Sequence, residues 1–387
     1  MALLKHSSRN RLLAPPRWWV LFSFIASGVN AEIFPLFNPL AHSASSHPSL
    51  ELSSSGFIAD DPVSLKDFFN DWEGEYSPES SDNYAVEMLR VDIGTTLPSG
   101  YYIGYFYQWD TLIHTNRGFV EGYYRVKNNL TSQEDQAYGL QLAINGIERH
   151  GLVVSRSWMV YRFDSAKVTF GAGVYLSYDT DSQDGILTGD GTLYSDSSYS
   201  ATAISDYYYT DNLLYDLDVD DTYGIGYGMH IALRYEHQNG IMINLLANDL
   251  FARSHWKNLP YSLVYLETEN QSIGDDGYVS YDPTIHGWEL YKDHVQHIEP
   301  KYHIDIQKKI DLHFELSLGY EYCDGLGIPY IQTNMQTEYG TFGLQYETRF
   351  GMIGVDYRYG HVSLSLFSDG FEDASALGFS GKILYNF

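Results

Sequence analysis

Apolar and polar residues alternate one by one along most of this chain. In residues 377–387, Leu377, Phe379, Ile383, Tyr385 and Phe387 share one face, with Gly381 the only gap. Gly378, Ser380, Lys382, Leu384 and Asn386 share the other. A period of two is what a strand shows when its faces meet different surroundings. The same pattern predicts strands through Tyr101, Ile103, Tyr105, Tyr107 and Trp109; through Tyr138, Leu140, Leu142 and Ile144; and through Val168, Phe170, Ala172, Val174, Leu176 and Tyr178. The clearest strand sets Tyr223, Ile225, Tyr227, Met229, Ile231, Leu233 and Tyr235 against Gly224, Gly226, Gly228, His230, Ala232, Arg234 and Glu236. A soluble sandwich also alternates, but its polar face is seldom so rich in Gly. Strands of about ten residues with lipid-facing apolar positions fit better.

After residue 31 no unbroken apolar stretch approaches the ~20 residues of a spanning helix. A membrane location therefore requires backbone groups to pair between strands, which a closed barrel achieves. The 34 Gly, 35 Tyr and 7 Trp agree with strands, tight turns and interfacial aromatic girdles. The N-terminus carries a basic region (Lys5, Arg9, Arg11, Arg17), a short apolar core over 18–27 and the small-residue site Val29-Asn30-Ala31. This predicts a cleaved signal peptide, with a retained anchor as the alternative. A terminal alternating strand ending in Phe387, behind an export signal, resembles the closing strand of Gram-negative outer-membrane β-barrels. That resemblance implies an all-β, closed antiparallel transmembrane barrel in the outer membrane, with outer-membrane lipids, lipopolysaccharide and the barrel-assembly machinery as partners.

The predicted organisation is a signal peptide at 1–31, a Ser-rich periplasmic lead-in or plug-like segment at 32–83, and the barrel at 84–387. Short turns are expected at Leu97-Pro98-Ser99-Gly100, Asp164-Ser165-Ala166, Gln238-Asn239-Gly240, Lys308-Lys309-Ile310 and Arg349-Phe350-Gly351. Long loops are expected at 179–222 and 254–293, the asymmetry of periplasmic turns and extracellular loops. About thirteen strands can be counted. Because single-chain bacterial barrels use even numbers, the expectation is 12–14. The lone Cys323 excludes an intramolecular disulfide and predicts an unpaired thiol near a strand end.

Charge narrows the partners. At a formal −27, the chain should bind neither nucleic acid nor an anionic bilayer by charge alone. Lipopolysaccharide could be met through divalent cations, or the acidic loops could simply be solvated. The segment 179–222 holds eleven Asp and no Lys, Arg or Glu. Asp179, Asp181 and Asp184, and Asp216, Asp218 and Asp220, offer the hard oxygen ligands Ca²⁺ prefers, though neither run fits an EF-hand loop. Tyr194, Tyr199, Tyr207, Tyr208, Tyr209 and Tyr215 could stack on sugars.

The densest polar band is His297, Glu299, Lys301, His303 and Asp305 on one strand. It faces His313 and Glu315 on the next, with Asp305 opposite His313 and His303 opposite Glu315, or with the register shifted by two. A second band joins Glu121, Arg125 and Lys127 to His230, Arg234 and Glu236. Three readings apply: an ion-pair network stiffening the wall, a permeation path tuned by charge, or a catalytic or metal site. No catalytic residue is assigned, since there is no G-x-S-x-G elbow. His361-Val362-Ser363 and His150 with Ser155 are the nearest approaches to a nucleophile pair. Outer-membrane phospholipases and lipid A deacylases resemble the chain in size and barrel type, but their motifs do not match here. The leading expectation is thus a porin-like channel for small solutes. A lipid-modifying enzyme and an adhesion barrel with acidic loops are the alternatives.

Overall fold

The computed structural model describes residues 32–42, 47–70, 72, 74–130, 134–195, 198–212, 219–268, 271–273, 279–281 and 284–387. Its strands are β1 (Ser49–Asp60), β2 (Asp82–Thr96), β3 (Tyr101–Asn116), β4 (Gln136–Arg162), β5 (Ala166–Leu193), β6 (Tyr199–Tyr209), β7 (Gly224–His237), β8 (Ile241–Glu267), β9 (Gln271–Ile273), β10 (Val279–Tyr281), β11 (Thr284–His297), β12 (Lys301–Lys309), β13 (Phe314–Cys323), β14 (Leu326–Thr337), β15 (Gly340–Glu347), β16 (Ile353–Tyr359), β17 (Val362–Ser368) and β18 (Ala376–Asn386). Two helices interrupt them, α1 (Leu65–Phe69) and α2 (Arg117–Lys127).

Following the pairings β1-β2-β3-β4-β5-β7-β8-β12 and on through β18 returns to β1, all antiparallel. The protein is therefore a closed barrel of fourteen strands. Closure falls between β1 and β18, from Ser49 opposite Asn386 to Ala59 opposite Ala376. The expected lead-in is thus partly wall, and the barrel begins at Ser49 rather than near 84. Four serines in Ser49–Asp60 hide the alternation that would have marked β1 as a strand.

The outside is apolar. Leu152, Val174, Leu176, Ile225, Leu318, Leu344 and Val355 are all exposed, as are Tyr385 and Phe387 near the closing seam. The lining is polar, with Arg90, Gln108, Arg149, His230, Lys301, Asp305, Glu321 and Gln332 buried. Apolar outside and polar inside is the arrangement a lipid-embedded barrel requires. The fold is that of an outer-membrane β-barrel.

The wall is lopsided. At the end that carries residues 47–48 and Phe387, the connections are short, including 97–100, 163–165, 238–240 and 360–361. At the other end β4, β5 and β8 run on for 27, 28 and 27 residues. There β6 replaces β7 between β5 and β8, and β11 replaces β12 beside β8. Much of the two expected long loops is therefore strand. Ile144 packs in this extension against Tyr207 and Tyr209. From β13 to β18 the same end carries only brief connections, and Arg349-Phe350-Gly351 lies there rather than among the opposite turns.

The outer face gives a direct test of membrane placement. Val174→Arg should cost about 2–4 kcal/mol in lipid, the penalty for a mid-bilayer cation. Thr188→Arg, on the extension of β5, should cost less than about 1 kcal/mol. Urea unfolding in liposomes, followed by Trp fluorescence, measures both.

Candidate functional site: a plugged lumen

Residues 32–42 are not wall. They thread the lumen beside strands that approach from every side. Pro39–Ala41 forms one 3₁₀ turn, capped by the Asn38 side chain, which accepts from the Leu40 amide at 3.0 Å. The segment is held by backbone groups. The Ile33 and Phe34 amides donate to the two oxygens of Glu321 at 2.9 and 2.6 Å. Asn248 brackets Phe37, accepting its amide at 2.7 Å and donating to its carbonyl at 2.9 Å. Ser157 donates to the His42 carbonyl at 2.7 Å. Inside a barrel these groups have no ladder to join, and each one satisfied by a side chain fixes the position of the segment.

Glycine makes the room. A Cβ on Gly171 would meet Pro39 Cβ at 2.9 Å, and one on Gly173 would meet the Phe37 ring at 3.3 Å. These inward glycines of β5 are the groove in which the plug lies. Its apolar side chains fill the rest. Phe34 packs against Phe57 with ring centroids 5.8 Å apart, and Phe37 lies 5.0 Å from His230 and 5.7 Å from Tyr102. His42 stacks on Tyr102 at 3.9 Å and meets Glu51 at 3.3 Å, while Lys382 holds the other oxygen of Glu51 at 2.8 Å.

A chain of charged groups crosses the lumen against the plug. Arg90 holds Asp92 through two bonds of 2.8 Å and donates to Gln108 at 2.7 Å. Gln108 donates to Asp110 at 2.6 Å, and Lys301 joins Asp110 at 2.8 Å to Asp249 at 3.1 Å. Asp249 also accepts from Arg149 and from Tyr175, both at 2.8 Å. Six strands contribute, and the link from β3 to β12 spans the interior rather than following the wall. Asp249 stands at a break in the β7–β8 register with φ at +57°, a left-handed position that turns its carboxylate into this network.

The expected bands are rearranged. Lys301, His303 and Asp305 do line the lumen, but His303 lies opposite Glu321 and Asp305 opposite Gly319. Both expected registers fail, because β12 runs to Lys309 and the turn comes afterwards. His303 bonds Glu321 and Asp305, each at 3.1 Å, while His313 is exposed in the turn and Glu315 faces Asn334 at 3.4 Å. His297 and Glu299 leave the band because the strand breaks at Ile298-Glu299-Pro300, where Pro300 cannot donate to a ladder. The break reverses the faces, so Gln296 and Ile298 are buried and His297 is exposed.

The second band also divides. Glu121, Arg125 and Lys127 lie on α2, not on a strand, with Glu121 paired to Arg125 at 3.3 Å. His230 is buried against the plug. Arg234 donates to Asn244 at 2.6 Å, and Glu236 pairs with Lys167 at 2.7 Å, both toward the short-turn end. Asp179, Asp181 and Asp184 lie on β5 with separate partners: Ser254, Thr210 and His294. Asp216 and Asp218 fall outside the described residues. Among the described residues no three His, Cys, Asp or Glu side chains form a metal-ready group. Nor does a nucleophile pair form, since Ser155 is buried while His150 bonds Tyr105 on the outer face.

At the long-strand end, Arg349 clamps Asp61 and reaches Glu79 at 3.3 Å. Burial pushes the Asp61 carboxyl up to about 6, against the pull of Arg349. At the same end, α2 and the extensions of β4–β6 border an open cavity of about 410 Å³, lined by Phe119, Tyr123, Val126, Tyr138, Leu140 and Leu193. The plug had no periodic signature in the sequence. The signal that could have found it is Asn38-Pro39, a capping residue followed by Pro at the first position of a helical turn.

The chain is thus an outer-membrane-type β-barrel with an occluded lumen. No family model and no curated protein matches it. Among solved structures it is similar to the toluene transporter TodX of Pseudomonas putida, at 9% identity over 94% of this chain and 96% of that one, with a TM-score of 0.43. A TodX ΔS2S3 mutant, described as a monoaromatic hydrocarbon channel, gives 10% identity over 94% and 97%, with a TM-score of 0.44. The outer-membrane protease OmpT of Escherichia coli gives 8% identity over 88% and 97%, with a TM-score of 0.20.

The charge network has a measurable weight. Asp249→Ala removes the acceptor shared by Arg149, Lys301 and Tyr175 and should destabilise the barrel by about 3–5 kcal/mol, as breaking a buried pair does. Urea unfolding in detergent micelles reads this. A loss below about 1 kcal/mol would mean that the two cations find other carboxylates.

Proposed function

We propose that this protein is a gated channel of the Gram-negative outer membrane for small solutes, held closed in this state by residues 32–42. One observation carries the reading: a short segment fills the lumen through hydrogen bonds to wall side chains and packing on glycines. It makes no strand pairing, so it can leave without breaking the barrel. The wall is continuous without it, because β1 closes directly on β18. Opening exchanges a few side-chain bonds for water, a change within reach of thermal motion or of a solute's binding energy.

The chemistry of the path follows. A solute entering at the long-strand end meets the apolar cavity beside α2 before reaching the polar lumen. That order favours small molecules with an apolar body over fully charged ions. Against the plug, Lys301, Arg149, Asp110 and Asp249 set the local field, so their removal should alter selectivity. Lipid around the wall and lipopolysaccharide around the extension of β4, β5 and β8 are the surroundings this shape suits.

Planar-bilayer recording tests the proposal. The wild-type chain should be mostly silent with brief openings. Deleting residues 33–42 should give long-lived steps, and Gly171→Leu, which thrusts a side chain into Pro39, should raise open probability at least tenfold. Lys301→Glu in the deletion background should shift ion preference toward cations. A deletion variant that folds, shown by its heat-modifiable gel mobility, yet stays silent would remove the channel reading.

A further inference from the structure

The inner end of the plug lies among carboxylates. Glu321 accepts the Ile33 and Phe34 amides and a bond from His303, and Asp305 accepts from His303 and from Asn244 at 3.0 Å. Glu32 lies one residue beyond, its carboxylate 3.5 Å from the Asn38 amide nitrogen. Among the described residues, Glu321 and Asp305 share the imidazole of His303, and Glu32 adds a third acid close by. The nearby cations are committed elsewhere: Lys301 to Asp110 and Asp249, and Arg234 to Asn244. Glu32 and Phe34 also border a polar cavity of about 90 Å³ shared with Asn38, Glu51, Asp92 and Lys382.

An independent feature of the sequence bears on this place. The small-residue site Val29-Asn30-Ala31 ends immediately before Glu32. Hydrolysis of the Ala31–Glu32 peptide bond consumes one water, leaves a carboxylate on Ala31 and makes an α-amine on Glu32. At neutral pH that amine takes a proton, since its ordinary pKa is about 7.7–8.0. The new cation is created within one residue of the amide that already touches Glu321. A chain rises at most ~3.6 Å per residue, so the ammonium is held near that carboxylate by covalent connection alone.

We infer that export processing completes the plug: the α-ammonium of the mature chain, beginning at Glu32, is the cation that seats residues 32–42 against Glu321 and its neighbouring acids. Before cleavage the nitrogen of Glu32 is a neutral amide with no charge to offer these acids. Removal of the leader supplies a compact charge at a spot where, among the described residues, carboxylates outnumber cations. Cleavage and channel closure then become one event, and an exported but unprocessed chain would have a loosely seated plug. The inference rests on the lumenal placement of residues 32–42, and its test reads the amine itself rather than ion flow, so the two can fail separately.

The test uses the exported protein, purified from membranes. N-terminal sequencing must find Glu32 first, and any other start overturns the inference. The α-amine is then dimethylated with ¹³C-formaldehyde, which preserves its charge, and its NMR signal is titrated in micelles. Seated as inferred, it titrates more than one pH unit above 8, and Glu321→Gln returns it toward the ordinary value. A second variant, His303→Gln, removes the competing cation and should raise the amine's value further while keeping the fold. Titration at about 7.7–8.0 in the wild-type chain, or a value indifferent to Glu321→Gln in a folded barrel, would refute it. A two-residue extension before Glu32 should lower the melting temperature by several degrees, and an unchanged melting temperature also counts against it.

Discussion

Hydrocarbon offers no partner to a peptide N–H or C=O, and the whole architecture answers to that constraint. Each strand of the wall spends its backbone on two neighbours, and the account closes only because Ser49–Asp60 meets Ala376–Asn386. Once the ladder is closed, side chains are free to differentiate. Those pointing outward meet lipid and are Leu, Val, Ile and Tyr; those pointing inward meet one another. The plug obeys the same constraint in a different way. With no strand to pair with, its amides and carbonyls take Glu321, Asn248 and Ser157 as partners.

The lumen shows how a polar interior is kept solid. Arg90, Arg149 and Lys301 are each buried, and each carries at least two polar contacts to carboxylates, amides or phenols. Isolated buried charges would be costly, while a connected set shares its desolvation among many bonds. Because Asp92, Gln108 with Asp110, Tyr175 and Asp249 come from four different strands, the network braces the barrel across its interior. Residues 32–42, by contrast, pair with no strand of the wall. The contrast between a braced wall and a segment held by a handful of bonds is what makes a gate physically reasonable here.

How much of this was legible beforehand varies from element to element. The outward faces of β3, β5 and β7 read directly, since Tyr101, Val174 and Ile225 lie where alternation placed them. β1 was hidden, because serine is neither clearly apolar nor clearly charged and so blurs a period of two. The helix α2 is hidden because Glu121, Arg125 and Lys127 share the even spacing of one strand face, whereas only Glu121 and Arg125 share a helix face. Pro300 marks the break before Lys301, and that one residue takes His297 and Glu299 out of the lumen.

Alternation is a property of neighbouring residues, and together with the want of any long apolar run it was enough to determine the kind of wall and its last strand. Which side chains meet inside was decided only in three dimensions. Partners such as Lys301 and Asp110, or Glu321 and Ile33, are separated by 191 and 288 positions and face each other across a cylinder. Their meeting depends on the stagger accumulated strand by strand around fourteen strands, and a shift at any turn would pair different residues. No local pattern encodes that sum.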